Sequence, residues 1–157
     1  GEKIAEKEVK ERLTATVKVP YEPGELTVQA LQDGEVVASK SFQTTGEPNK
    51  IILEPERKTI YANRQEIAYV NVKAVDENGR LVPTCNRPVK VSVNGAGELL
   101  SAGNASPLIE SSLQDSEFNL FQGRGMVILR SRGRTGKIDI TVDSPELSRE
   151  KITINAK

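Results

Sequence analysis

Few residues in this chain are suited to acid–base or nucleophilic chemistry. Its 157 residues include no histidine and a single cysteine, Cys85. The lack of histidine excludes Ser-His and Cys-His catalysis and His-ligated zinc. One cysteine can form neither an internal disulfide nor a multi-cysteine metal site. Because a reactive thiol needs an activating partner, we predict that Cys85 is a small buried residue near a turn.

Carboxylates suggest two kinds of site, and neither pattern is specific. Asp76-Glu77-Asn78-Gly79 is superficially similar to a calcium loop, but Arg80 to Pro83 does not supply the further ligands of an EF-hand. Asn-Gly is a strong hairpin signal, so a plain turn is favoured. Paired carboxylates for glycoside hydrolysis must face each other across a cleft, and no pair here is marked out. We therefore predict no catalytic, cofactor-binding or metal-binding residue in this chain, and no cofactor.

The basic residues cluster near one turn. Arg124, Arg130, Arg132 and Arg134 precede or enter the segment from Gly133 to Gly136, and three of them alternate along the chain. Nucleic-acid binding would require a wider positive field joined to exposed aromatics. The chain has 22 basic and 22 acidic residues and only 4% aromatics. A solvated strip, or one that faces an interface, is therefore favoured over a nucleic-acid site.

The elements that must position these residues are β-strands, because polar–apolar alternation dominates the chain. In the first segment, Leu13 to Val19 and Leu26 to Ala30 alternate, Asp33-Gly34 predicts a tight type I′ hairpin, and Val36 to Phe42 returns as the partner strand. We interpret Glu2 to Arg12 as an exposed edge strand rather than a helix. No apolar run approaches the roughly 20 residues of a membrane helix.

A boundary is predicted at Thr44 to Asn49, where Gly46 and Pro48 interrupt the strand pattern. Residues 1–46 are too few to sustain a core alone, so we expect them to be the C-terminal part of an immunoglobulin-like β-sandwich cut at its N-terminus. Residues 47–157 contain enough strands for a complete immunoglobulin-like sandwich. The predicted fold is thus all-β, with two tandem sandwiches, the first one incomplete.

Within the second segment, the alternation specifies which residues face inward. Ala68, Val70, Val72 and Ala74 form one inward face, with Tyr69 outward, and residues 125–130 indicate a central strand buried on both faces. Val82-Pro83 is expected to end the strand that returns from the Asn78-Gly79 turn. Residues 104–119 resist a strand interpretation and are expected to form a long functional or contact-making loop.

The order of these features resembles the C-terminal β-sandwich region of large glycoside hydrolase family 2 enzymes, in particular the β-galactosidases of gut Bacteroidetes. The residues that carry the resemblance to the penultimate module and its boundary are Val19 to Leu26, Asp33-Gly34 and Thr45 to Pro48. The final module is represented by Ala62, Ala68 to Val72, Val75 to Gly79, Val82-Pro83, Gly95, Gly97, Gly103-Asn104, Phe121 to Arg124 and Val127-Ile128.

The resemblance implies a non-catalytic accessory role. The family's catalytic glutamates belong to a central barrel whose motifs match no residue here, so the fragment itself is expected to be inactive and its parent to be a hydrolase. Expected partners are the catalytic and other domains of that parent, with polysaccharide or a neighbouring protomer as further options, and neither nucleic acid nor membrane. A periplasmic or secreted location follows from the family. The alternative is a carbohydrate-binding or adhesion-type bacterial immunoglobulin-like module.

Overall fold

The computed structural model describes residues 1–9, 14–108 and 112–157. It divides the chain into two compact units, Gly1–Thr44 and Thr45–Lys157. All regular elements within these described ranges are β-strands, so the predicted all-β class is confirmed. The same ranges contain no helix with the length and apolar character needed to cross a bilayer.

The first unit contains one antiparallel hairpin, formed by β1 (Glu25–Gln32) and β2 (Glu35–Gln43). Its turn residues Asp33 and Gly34 have φ angles of 52° and 86°. Both are left-handed, as a type I′ turn requires, and this matches the prediction. A two-stranded ribbon has no second layer of its own, so each of its faces needs a covering element or solvent.

Two strand predictions in the first unit are wrong wherever the structure can test them. Residues 14–19, predicted as a strand that starts at Leu13, form no strand, and neither do residues 2–9 of the expected edge strand. Leu13 and residues 10–12 lie outside the described residues. Alternation produces a strand only where a neighbour takes up the backbone hydrogen bonds, and β1 and β2 take up each other's.

The second unit is a β-sandwich. Its strands are β3 (Lys50–Pro55), β4 (Thr59–Ile60), β5 (Ile67–Val75), β6 (Pro88–Gly95), β7 (Gly97–Gly103), β8 (Glu117–Asn119), β9 (Arg124–Ser131), β10 (Gly136–Ser144) and β11 (Leu147–Ala156). One layer has the order β7-β9-β5-β3, and the other has the order β8-β6-β10-β11 with β4 beside β11. A short parallel pairing of Lys50 with Ser148 joins the layers along one edge. The arrangement agrees with the predicted immunoglobulin-like sandwich.

A single core fills the space between the layers. The four inward residues predicted on β5, from Ala68 to Ala74, are all fully buried, and so are Ile138, Ile140 and Val142 on β10. Glycines bring the layers close together at two places. A Cβ added at Gly97 would lie 2.4 Å from Cγ2 of Ile138, and one at Gly125 would lie 2.4 Å from Cε2 of Phe118.

Three details of the second unit differ from expectation. β9 is central, between β7 and β5, but only alternate residues are buried and Met126 is 39% exposed, so the strand is not buried on both faces. The outer face of this antiparallel layer is open, whereas continuous burial is typical of parallel sheets. The return from the Asn78-Gly79 turn makes only one bridge, between Val75 and Leu81, and no full strand ends at Pro83. The 104–119 segment includes β8, which pairs with β6.

The strand register places specific connections at opposite ends of the sandwich. At one end, Gly97 lies opposite Ser131, Ile67 opposite Arg130, and Gly136 opposite Ala156. The β4–β5, β6–β7 and β9–β10 connections therefore meet there, together with Lys157. At the other end, Lys50 lies opposite Val75 and Ser148, so the entry into this unit is beside the β10–β11 hairpin.

Candidate functional site

The carboxylate of Asp76 is a structural cap at the entry end. Asp76 is 0% exposed. Its Oδ1 accepts hydrogen bonds from the backbone N–H groups of Asn78 (2.9 Å) and Arg80 (2.8 Å), and Oδ2 accepts one from Gly46 (3.0 Å). The Gly46 N–H, followed by the Arg80 N–H, lowers the pKa of Asp76, because both bond to the charged form. These contacts support the plain hairpin over a calcium loop.

Other carboxylates are engaged in outward ion pairs. Glu98 accepts from Arg130 Nε at 2.7 Å, and Asp139 accepts from Thr153 Oγ1 at 2.7 Å and faces Lys151 Nζ at 2.9 Å. The Arg130 hydrogen bond lowers the pKa of Glu98, and the Thr153 hydrogen bond lowers the pKa of Asp139. A general acid for glycoside hydrolysis needs the opposite shift. Over the described parts of the chain, no three His, Cys, Asp or Glu residues are grouped to hold a metal ion.

Cys85 packs as the sequence predicted. It is 3% exposed and belongs to the core. Its N–H donates to Val82 O at 3.1 Å, and its carbonyl accepts from Gly123 N at 2.8 Å. Cys85 thus ties two turns together through its backbone.

A recess of about 220 Å³ lies where the 104–119 segment leaves the sandwich. Asn104 uses both ends of its amide there: Nδ2 donates to Asn119 O at 2.6 Å, and Oδ1 accepts from Ser106 N at 2.7 Å. Asn86 Oδ1 accepts from Gln122 N at 3.2 Å. These amides already serve to anchor the backbone, so the recess is accounted for as the attachment of the segment. Residues 109–111 of the predicted contact loop lie outside the described residues.

Three arginines are held by backbone carbonyls at the end of the sandwich opposite Asp76. Arg64 Nε donates to Arg132 O, Arg132 Nε donates to Gly97 O, and Arg134 Nη2 donates to Gly95 O, each at 2.9 Å. Carbonyl acceptors orient a guanidinium without neutralising it. All three side chains are on exposed residues, so their remaining N–H donors face solvent.

Arg130 joins this group through its ion pair with Glu98. The charges of Arg130, Arg132 and Arg64 all act on the Glu98 carboxylate, which places them around one point. We call this set of Arg64, Arg130, Arg132, Arg134 and Glu98 the arginine end.

The predicted basic cluster is therefore correct for three arginines and wrong for Arg124. Arg124 begins β9, whereas Arg130 lies at its far end. Sequence reasoning missed Arg64, which approaches Arg132 across 68 positions. The sequence shows only that residue 133 is glycine; in the structure its φ is +80°, and a Cβ there would lie 2.9 Å from Arg64 Nε. Glycine at this turn makes room for the arginine stem.

The hairpin of the first unit has one polar face and one mainly apolar face, which also carries Lys40 opposite Val28. The opposed pair Leu26 and Phe42 shares its face with Val28, and these three are 40%, 57% and 56% exposed. On the other face, Thr27 Oγ1 and Ser41 Oγ are hydrogen bonded at 2.7 Å. No described residue of this unit up to Thr44 is buried. The hairpin apolar face (Leu26, Val28 and Phe42) is thus an apolar surface open to a covering element.

Comparison with known proteins connects this architecture to one enzyme family. Residues 51–153 match glycoside hydrolase family 2 C-terminal domain 5. A β-galactosidase of Bacteroides ovatus is 31% identical over 140 residues, which cover 89% of this chain and 16% of that protein. A β-galactosidase of Thermoanaerobacter pseudethanolicus is 29% identical over 133 residues, which cover 84% and 16% of the two chains.

A solved structure gives the same result. A glycosyl hydrolase family 2 member from Bacteroides cellulosilyticus has a TM-score of 0.86 at 27% identity, covering 88% of this chain and 18% of the other. The chain thus spans about one sixth of the length of the two curated relatives above, 16% in each. The resemblance inferred from the sequence is confirmed, and the chain belongs to the glycoside hydrolase family 2 C-terminal domain 5 family.

Proposed function

We propose that the two units are non-catalytic accessory domains of a glycoside hydrolase family 2 enzyme and that they pack against its catalytic core. The observation that carries this is the family match over residues 51–153. Relatives named as β-galactosidases contain this region as 16% of a longer chain. The carboxylates described above are caps or partners of basic and hydroxyl groups, which suits a structural part of a hydrolase.

The proposal gives the hairpin of the first unit a specific role. Residues 1–46 are the C-terminal part of an immunoglobulin-like module, and strands of the same module cover the hairpin apolar face. The exposures of Leu26, Val28 and Phe42 support this, since a side chain such as Phe contributes about 1.5–3 kcal/mol when fully buried. As the family suggests, the enzyme acts in the periplasm or outside the cell, and the two units stabilise it and orient its neighbouring domains.

The test compares Phe42→Ser in the full-length parent enzyme and in the 157-residue chain. Phe42 is exposed in the 157-residue chain, so the substitution should change the free energy of unfolding of that chain by no more than about 0.5 kcal/mol. In the parent, where the ring is covered, the substitution should cost about 3–5 kcal/mol and lower the thermal midpoint. Gln29→Ser, on the polar face of the same hairpin, is the matched control and should be neutral in both proteins.

Two results would refute the accessory role. One is hydrolysis of p-nitrophenyl β-galactoside by the purified chain, which is expected to be inactive while the parent is active. The other is an equal, small effect of Phe42→Ser in both proteins, which would show that nothing covers the ring. Retardation of the chain in affinity electrophoresis on polysaccharide would favour the binding-module alternative.

A further inference from the structure

We propose that the arginine end is a docking surface for a protein segment with clustered carboxylates. The proposal concerns the second unit alone and does not depend on the enzyme assignment. The arginine end holds four arginines and one glutamate, so three positive charges are uncompensated within it. The whole chain has a net charge of zero, so this excess is a property of one place in the fold.

The guanidinium groups are oriented before any partner arrives. Arg64, Arg132 and Arg134 each use one N–H to bind a backbone carbonyl at 2.9 Å. A guanidinium has five N–H donors in a fixed plane, so each keeps donors that match a carboxylate. An arginine that is already oriented loses less conformational freedom on binding, which favours association. Gly133 contributes by leaving space for the Arg64 stem.

The arginine end lies far from the point at which the chain enters this unit. Gly46 enters this unit beside Asp76, at the opposite end of the sandwich. The loops that carry Arg64 and Arg132 are therefore remote from the chain entry.

A protein partner is favoured over an acidic polysaccharide by the surroundings of Tyr61. Sugar rings bind by stacking on open aromatic faces, and Tyr61 precedes the Arg64 loop with 59% of its surface exposed. However, Lys157 Nζ lies over the ring, 5.7 Å from its centroid, and occupies one face by a cation–π contact. Carboxylates on flexible peptide side chains need no such face and can reach each guanidinium separately.

The experiment is an NMR titration of the full 157-residue chain with a hexaglutamate peptide and, separately, with hexagalacturonate. The two ligands are matched because each has one carboxylate on every repeating unit. We expect saturable shifts with the peptide at the Nε–Hε signals of Arg64 and Arg132 and at the amides of residues 95–97. The dissociation constant should rise several-fold between 50 and 300 mM NaCl, because exposed charges are screened. Hexagalacturonate should bind more weakly than the peptide.

Charge-matched variants locate the surface. The double variant Arg64→Gln/Arg134→Gln should weaken peptide binding by about fivefold or more, since each exposed ion pair contributes up to about fivefold. The control, Arg87→Gln/Arg149→Gln, removes the same charge near Glu146 and Asp143 at the other end and should change affinity less than twofold.

Three results would overturn the proposal. These are no saturable binding of the peptide, equal losses in the two double variants, or hexagalacturonate binding as tight as the peptide. The last result would replace the protein partner with an acidic glycan. Unchanged backbone shifts outside the substituted loops establish that each variant is folded.

Discussion

Replacing Gly97 by alanine should destabilise the second unit by inserting one methyl group between its layers. Gly97 does not have a left-handed φ, so its backbone accepts alanine. The new Cβ would lie 2.4 Å from Cγ2, 3.0 Å from Cδ1 and 3.1 Å from Cγ1 of Ile138. Carbon atoms in favourable contact are about 3.5–4.0 Å apart, so something must move by about 1 Å in a close-packed core.

The magnitude follows from the packing. Overpacking of this kind costs about 1–3 kcal/mol. Ile138 is fully buried, so Ile138→Ala alone should cost about 2–5 kcal/mol through lost contacts and the remaining cavity. In the double variant the three clashing atoms are absent, and the methyl group introduced by Gly97→Ala fills part of the cavity. The double variant should therefore be about 1–3 kcal/mol more stable than the sum of the single losses predicts.

Urea unfolding followed by far-UV circular dichroism gives the three free energies, and tyrosine fluorescence provides a second probe because the chain has no tryptophan. Each 1 kcal/mol should shift the thermal midpoint by about 2–4 °C for a chain of this size. Leu147→Ala combined with Gly97→Ala is the control, since Leu147 is buried at the other end of the sandwich. Strict additivity of Gly97→Ala and Ile138→Ala, within about 0.5 kcal/mol, would refute the predicted contact.

Three further predictions concern other parts of the chain. Asp76→Asn should lower the thermal midpoint at pH 7. Folding lowers the pKa of Asp76 below 3.8, so the stability that this carboxylate contributes is present above about pH 4 and is lost as the pH falls towards the pKa of the folded state. The difference in thermal midpoint between wild type and Asp76→Asn should therefore narrow at low pH. Gly133→Ala should cost about 1–2 kcal/mol in urea unfolding, because its φ of +80° is unfavourable for alanine, and should shift the Arg64 Nε–Hε signal. Leu26→Ser/Phe42→Ser should leave the unfolding of the isolated chain unchanged within about 0.5 kcal/mol but reduce its binding of an apolar dye, since both side chains are exposed.

Matched substitutions separate these effects from general damage. Asp115→Asn removes an exposed carboxylate and should preserve both the thermal midpoint and its pH dependence. If the difference in thermal midpoint between wild type and Asp76→Asn stayed constant down to about pH 2, the pKa argument for Asp76 would be wrong. Gly1→Ala, which has open space around the new Cβ, should leave the free energy of unfolding unchanged. An undisturbed Arg64 Nε–Hε signal in Gly133→Ala would exclude the contact between residue 133 and the Arg64 side chain. Gln29→Ser should not change dye binding, and equal dye binding by Leu26→Ser/Phe42→Ser would show that the hairpin apolar face is not the exposed surface.

Local residue patterns were enough to predict a hairpin turn, a buried strand face and the family. Asp33-Gly34 predicts its own turn, because the two left-handed φ angles depend on the residue types at two adjacent positions. The alternation from Ala68 to Ala74 likewise predicts the buried face, because side chains of a strand point to opposite sides in turn. The same reasoning failed for residues 14–19, because alternation does not say whether a partner strand is present.

Contacts between residues that are far apart along the chain became visible only in the packed fold. Arg64 reaches Arg132 across 68 positions, and Asp76 caps the Gly46 N–H across 30. Arg124 is close to Arg130 along the chain, yet the length of β9 separates the two. Such proximity depends on strand order, register and loop path, which are set by the packing of the whole core, while local patterns reflect stereochemistry within a few residues.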